Sequence, residues 1–165
     1  MTNAWRLGCT RGQAITAAAL FAAAVAVTAA VGSVAAASSA EQYALLQRPG
    51  WAPPPWLFGP VWTILYVLIA FAGWRAWCAG PGTSRRTSTS WYALGLVLNA
   101  LWTPLFFAAE LWTLALLEII LLDVVVAVTA VLFWRRDRLA GALLVPYLVW
   151  TMFATVLNGA IVALN

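Results

Sequence analysis

Residues 49–66 read PGWAPPPWLFGPVWTILY, a stiff approach that runs straight into an apolar helix. Pro53, Pro54 and Pro55 fix φ and favour an extended polyproline path. Pro60 falls where a first helical turn tolerates a missing N–H. Beyond it, Phe58, Trp62 and Tyr66 recur at i, i+4, i+8 and so share one helix face. Trp51 and Trp56 suit the membrane–water boundary, where indoles gather; Trp62 and Tyr66 lie deeper than that explanation reaches.

The rest of the chain enforces a membrane reading. Of 165 residues, 64% are hydrophobic and 8% charged, more apolar surface than a soluble domain of this size can bury. Apolar runs long enough to cross a hydrocarbon core of about 30 Å are expected at 13–37, 57–79, 90–109, 113–134 and 139–164. The expected fold is an all-α five-transmembrane-helix bundle forming a single domain over 1–165. The connection 38–56 is its longest loop, with one or two helical turns expected near Glu41–Leu46. In the first run, Ala18, Ala22, Ala26 and Ala30 form a small-residue stripe that lets another helix approach. A cleavable signal peptide is the rival reading, since residues 35–40 are small; the apolar run is long for one, and a retained helix is expected. Gly80, Pro81 and Gly82 end the second run, and Arg85 and Arg86 are read as part of a Ser/Thr-rich loop. Pro104 should bend the third.

All nine basic residues are arginines. Across five spans, eight of them, Arg6, Arg11, Arg75, Arg85, Arg86, Arg135, Arg136 and Arg138, fall on one side, and Arg48 alone on the other. The positive-inside rule then places the N-terminus and the arginine loops in the cytoplasm, with the first loop and the C-terminus outside. Dispersed over loops, these charges fit topology rather than nucleic acid.

Histidine is absent, which removes His-based triads and His-ligated metals. Cys9 and Cys78, far apart in sequence, give no metal or disulfide framework. Glu118 and Asp123 are about 140° apart on a helix and make no acidic dyad. Asp123, mid-span, must face other helices or water. Polar and aromatic groups do share helix faces: Asn99, Thr103 and Phe106 beside Trp102 on the third run, and Tyr147, Trp150, Ala154 and Asn158 on the fifth. Interhelical glue explains any one of these at roughly 1 kcal/mol per hydrogen bond. Their recurrence on three spans, with Trp62 and Tyr66, points to a pocket between the second, third and fifth spans for a flat apolar ligand.

Four blocks in order carry a resemblance. They are Arg48, Pro49, Trp51, Pro53, Pro54 and Trp56 with Gly59–Thr63, Leu65 and Tyr66; then Asn99–Pro104 with Phe106 and Phe107; then Leu122 and Asp123; then Val145–Leu148, Trp150, Phe153–Thr155, Leu157 and Asn158. The pattern resembles the TspO/MBR family of tryptophan-rich sensory proteins and translocator proteins, over residues 43–158. The resemblance implies a five-helix bundle, often a homodimer, with a pocket under the first loop that takes porphyrin or haem-type tetrapyrroles and no required cofactor or metal. Carried across, the ligand-binding positions are Tyr43, Trp51, Trp62, Asn99, Trp102, Asp123, Tyr147, Trp150 and Ala154. It also implies two alternatives, light- and oxygen-dependent porphyrin degradation through Trp62 and Trp150, and small-molecule transport. The resemblance further implies a bacterial cell membrane. Two departures stand out. Gly159 and an apolar tail replace the sterol motif that would follow Leu157 and Asn158, so sterol binding is not expected. Gly50 stands where some bacterial relatives carry a further Trp.

Overall fold

The computed structural model describes residues 8–36, 39–80 and 83–165. Arg6, Ala37 and Ser38 of the small-residue stretch, and Pro81 and Gly82, lie outside the described residues. Among the described residues seven helices form: α1 (Arg11–Ala35), α2 (Ser39–Leu45), α3 (Phe58–Cys78, entered by a 3₁₀ turn at Pro55–Leu57), α4 (Thr83–Thr103), α5 (Trp112–Arg136), α6 (Arg138–Leu143) and α7 (Val145–Leu164). Five helical segments among the described residues are long and apolar enough to span a bilayer, α6 and α7 together making the fifth. The protein is an all-α integral membrane protein. Its outer surface carries Leu20, Val27, Ile64, Val67, Leu117, Val124, Val149 and Val156 in the open, a belt that lipid covers and water would not tolerate.

α1 packs on α3 and α4, α4 on α5, and α5 on α7, with α6 against α3 and α5. The core follows that order, from Val25 through Leu65 and Ile69 to Tyr92, Leu98, Leu122, Val125, Phe133 and Tyr147. α1 begins at a capping box, Thr10 accepting from the Gln13 amide and Gln13 from that of Thr10. Its buried face is Ala17, Val25 and Thr28, while Ala18, Ala22, Ala26 and Ala30 point outward. The expected close-packing stripe is therefore rotated away from the bundle, because the bulkier Phe21 and Val25 fill the groove against α3 and α4.

The third span starts seven residues before the expected 90. Residues 83–89 are polar but helical, with the Ser88 hydroxyl bonding back to the Arg85 carbonyl at 3.0 Å. Hydropathy marks the length inside lipid, whereas the helix runs on past it. Pro104 does more than bend its helix. Lacking an N–H, it opens a π turn at Pro104–Ala108, closed by the Ala109 amide on the Pro104 carbonyl at 2.9 Å. Glu110, at φ 54°, then reverses the chain into α5.

At the other end α5 stops at Asp137, whose extended backbone breaks the helix while its side chain caps α6 through the Ala140 amide at 2.8 Å. The corner is tight. A Cβ on Gly141 would lie 2.7 Å from the Trp134 backbone nitrogen, a contact that no side-chain rotation relieves. Gly141→Ala should therefore cost about 1–3 kcal/mol, read from equilibrium unfolding in mixed detergent micelles. Wild-type stability in that variant would show that the corner can spread.

Candidate functional site: an aromatic cavity under the first loop

The polyproline path is seen at Pro54, φ −67°, ψ 148°, while Pro55, expected to continue it, instead opens the 3₁₀ turn into α3. It lays the loop across the bundle end. Tyr43 of α2 is the loop's buried anchor. Its hydroxyl donates to the Pro53 carbonyl at 3.3 Å, its ring meets Phe58 edge-on at 5.6 Å, and the Arg48 guanidinium lies 4.5 Å over its centroid. Burial pushes the Tyr43 phenol above its ordinary range, with Arg48 partly offsetting that. Gln47 and Asn165 exchange backbone–side-chain hydrogen bonds at 3.1 and 3.0 Å, tying the loop to the end of α7. Trp51, half exposed, rests its ring on Phe153 at 5.9 Å.

Beneath the loop is a cavity of about 420 Å³. Phe58, Trp62 and Tyr66 supply one wall, Trp102, Thr103, Phe106 and Phe107 a second, and Ala29, Gly32 and Ser33 of α1 a third; Tyr43 closes the top. The π turn that Pro104 imposes is what presents Phe106 and Phe107 there. The cavity thus lies between the first, second and third spans. Among the second, third and fifth, where a pocket was expected, only about 20 Å³ is open, bordered by Phe58, Trp62, Asn99, Trp102, Trp150 and Ala154. Phe58, Trp62 and Trp102 border both spaces and form the partition between them.

A polar chain holds this partition. The Tyr66 hydroxyl donates to Asn99 Oδ1 at 3.2 Å, and Asn99 Nδ2 donates to the Tyr147 hydroxyl at 3.0 Å. Trp62 packs on both phenols, 5.3 Å from Tyr66 and 6.2 Å from Tyr147. Trp102 stacks on Phe106 at 5.0 Å and donates Nε1–H to Asn158 Oδ1 at 3.3 Å, while Asn158 Nδ2 donates to the Trp112 carbonyl at 3.0 Å. A buried asparagine that satisfies both its ends in this way fixes helix rotation as well as position.

The nine positions carried across are thus distributed unevenly. Tyr43, Trp62 and Trp102 line the large cavity. Asn99, Trp150 and Ala154 face the small void, and Tyr147 supports from behind. Trp51 sits against Phe153 of α7 and is not part of the cavity lining. Asp123 is turned away, between α5 and α7, accepting from the Thr155 hydroxyl at 2.7 Å. Trp150 Nε1 is buried with no partner among the described residues. The α1 wall was not anticipated. Its signal is a second run of small residues, Ala29, Gly32, Ser33 and Ala36, which leave room instead of filling it.

Fold and site together define a five-span membrane protein whose aromatic side chains enclose a loop-covered cavity. The TspO/MBR family model matches residues 18–164, and the chain belongs to that family. It is 42% identical over 123 residues to the tryptophan-rich protein TspO of Archaeoglobus fulgidus, covering 74% of this chain and 79% of the relative. The tryptophan-rich sensory protein of Cereibacter sphaeroides is 40% identical over 126 residues, 76% of this chain and 77% of that protein. The translocator protein of Sus scrofa is 40% identical over 118 residues, 70% of each chain.

Proposed function

We propose that the protein is a tetrapyrrole-binding sensor or translocator-type membrane protein, holding a porphyrin in the aromatic cavity under the first loop. The supporting observation is the combination of volume and lining. About 420 Å³ lies within the range of small-molecule sites, its walls are mostly ring faces, and hydroxyls of Ser33, Thr63 and Thr103 are spaced around it. Ring faces suit a planar conjugated guest. Arg48, beside the lid, is the cation available to a ligand carboxylate. Two of the relatives are named sensory protein and translocator protein, which supports a ligand-handling role. In this reading the arginine-rich end faces the cytoplasm of a bacterial cell and the loop faces outward.

The test is a titration of the full chain in detergent with protoporphyrin, kept in the dark and followed by tryptophan fluorescence. Wild type should quench saturably at micromolar ligand. Gly32 offers the control, because its added Cβ would sit 3.6 Å from the Thr103 hydroxyl and 3.7 Å from that of Tyr66, inside the cavity yet without a clash. Gly32→Ala should bind nearly as wild type. Gly32→Phe should fill the space and raise Kd at least about tenfold. Unchanged quenching in Gly32→Phe would remove the cavity as the binding site.

A further inference from the structure

At the opposite end of the bundle a second space, about 910 Å³, opens between α1 and α4 beside the end of α3. Its mouth carries Arg85, with the guanidinium 4.2 Å over the Trp77 ring, next to a side recess that also takes in Arg86. Its apolar walls are Phe21, Ala24 and Leu96, with Leu20 of the outer belt at its edge, and Thr16 and Thr89 stand between mouth and wall. From Gly12 at the mouth to Ala24 at the inner end, α1 rises about 18 Å at about 1.5 Å per residue. That is close to half of a hydrocarbon core of about 30 Å, the depth of one leaflet.

The charge at the mouth is uncompensated. Asp137 is the carboxylate of this end, and it is taken up by Arg75 and by the cap of α6. Arg136 is spent on the Ala76 and Gly80 carbonyls and the Ser84 hydroxyl. Arg85 and Arg86 have no acidic partner among the described residues. A groove with a cationic polar mouth and an apolar floor one leaflet deep matches a molecule with an anionic head and a hydrocarbon tail.

We infer that this groove binds one anionic phospholipid, its phosphate at Arg85 and Arg86 and an acyl chain lying along Phe21, Ala24 and Leu96. The Arg85 plane, braced by Trp77, offers paired N–H donors to phosphate oxygens. The site is remote in character and position from the aromatic cavity, and it stands or falls without reference to what fills that cavity.

Native mass spectrometry of the full chain in non-ionic detergent tests it, with phosphatidylglycerol and phosphatidylcholine of the same acyl chains offered together. Wild type should retain a single phosphatidylglycerol, with preference over phosphatidylcholine of about tenfold or more. The double variant Arg85→Ala, Arg86→Ala should lose that preference. Arg138→Ala, at the same end but outside the groove, should keep it. Ala24→Trp should lower retention of both lipids by filling the inner end, and it decides the matter alone should the arginine variant fail to fold. Equal retention of the two lipids by wild type, equal losses in Arg138→Ala, or full retention in Ala24→Trp each overturns the inference. So does displacement of the lipid by millimolar inorganic phosphate, which would assign the arginines to a free anion.

Discussion

Asp137→Ala should destabilise the protein by about 3 kcal/mol, the largest single-residue loss expected outside the cavity. Arg75 leaves α3 into the bundle and is only 8% exposed. Its Nε donates to Asp137 Oδ1 at 3.3 Å and its Nη2 to Oδ2 at 2.6 Å, a two-pronged pair. Removing the carboxylate strands a guanidinium among apolar neighbours, which costs about 3–5 kcal/mol where burial is complete. Asp137 retains 18% side-chain exposure, so the lower figure applies. The same substitution removes the cap on the Ala140 amide. Asp137→Asn keeps a capping oxygen and loses the charge, so it should fall between wild type and alanine. Acid supplies an independent check. Burial alone would raise the Asp137 pKa, but the Arg75 hydrogen bonds, the Ala140 and Leu139 amides and the Arg75 charge outweigh it and hold the group below its ordinary value. A depressed folded pKa contributes stability that is complete above the unfolded value of about 3.9 and disappears as pH falls through the folded one. Unfolding midpoints should therefore be flat between about pH 5 and 8 for this term and drop below about pH 4 in wild type. Asp137→Asn should lack that acid limb; an identical limb in the variant would show that other carboxylates carry it.

How far the sequence could be read depended on what kind of information each feature needs. Trp62, Tyr66, Asn99 and Tyr147 were legible as a converging set because helical spacing alone puts side chains on one face, and Asn99 does bond to both phenols. The polyproline approach was legible because proline fixes φ without help from the fold. The rotation of each helix about its own axis was not. Asp123 is polar and mid-span, yet it turns to Thr155 and away from the cavity, and the alanine stripe of α1 turns to the outside. Those orientations are set by bulky neighbours such as Phe21 and by long-range packing that no local pattern encodes. The α1 wall was missed for a related reason. Ala29, Gly32 and Ser33 contribute by their small volume, and a deficit of side chain gives no motif. The start of α4 was late because the seven polar residues before Ser90 look like a loop to hydropathy, though nothing in them stops a helix.

The polar chain beside the cavity gives the second large effect. Asn99→Leu keeps the branched side-chain shape, though leucine is larger, and removes both a donor and an acceptor from a site where Asn99 is 5% exposed and Tyr147 is 4% exposed. Tyr66 then loses its acceptor and Tyr147 its donor. A typical hydrogen bond between membrane helices contributes only about 0.6 kcal/mol, because the separated helices also find partners. Two stranded phenol hydroxyls cost more than two lost bonds, since each is desolvated without return, and the expected loss is about 2–4 kcal/mol. The asymmetry makes a sharper experiment than the single variant. Tyr66→Phe and Tyr147→Phe, added to Asn99→Leu, remove the stranded groups and should recover most of the stability in mixed-micelle unfolding. Ligand binding should not recover with it. Trp62 rests on both phenols, and with their hydroxyls gone the α3–α4 tie beside the partition is lost, leaving the Tyr92 hydroxyl on the Ile69 carbonyl further along the helices, so the partition between cavity and void should loosen. The triple variant should thus fold nearly as well as wild type while binding protoporphyrin about tenfold more weakly. If stability and affinity instead return together, the chain holds the bundle only through its bond energies, and the cavity takes its shape from the aromatic rings alone.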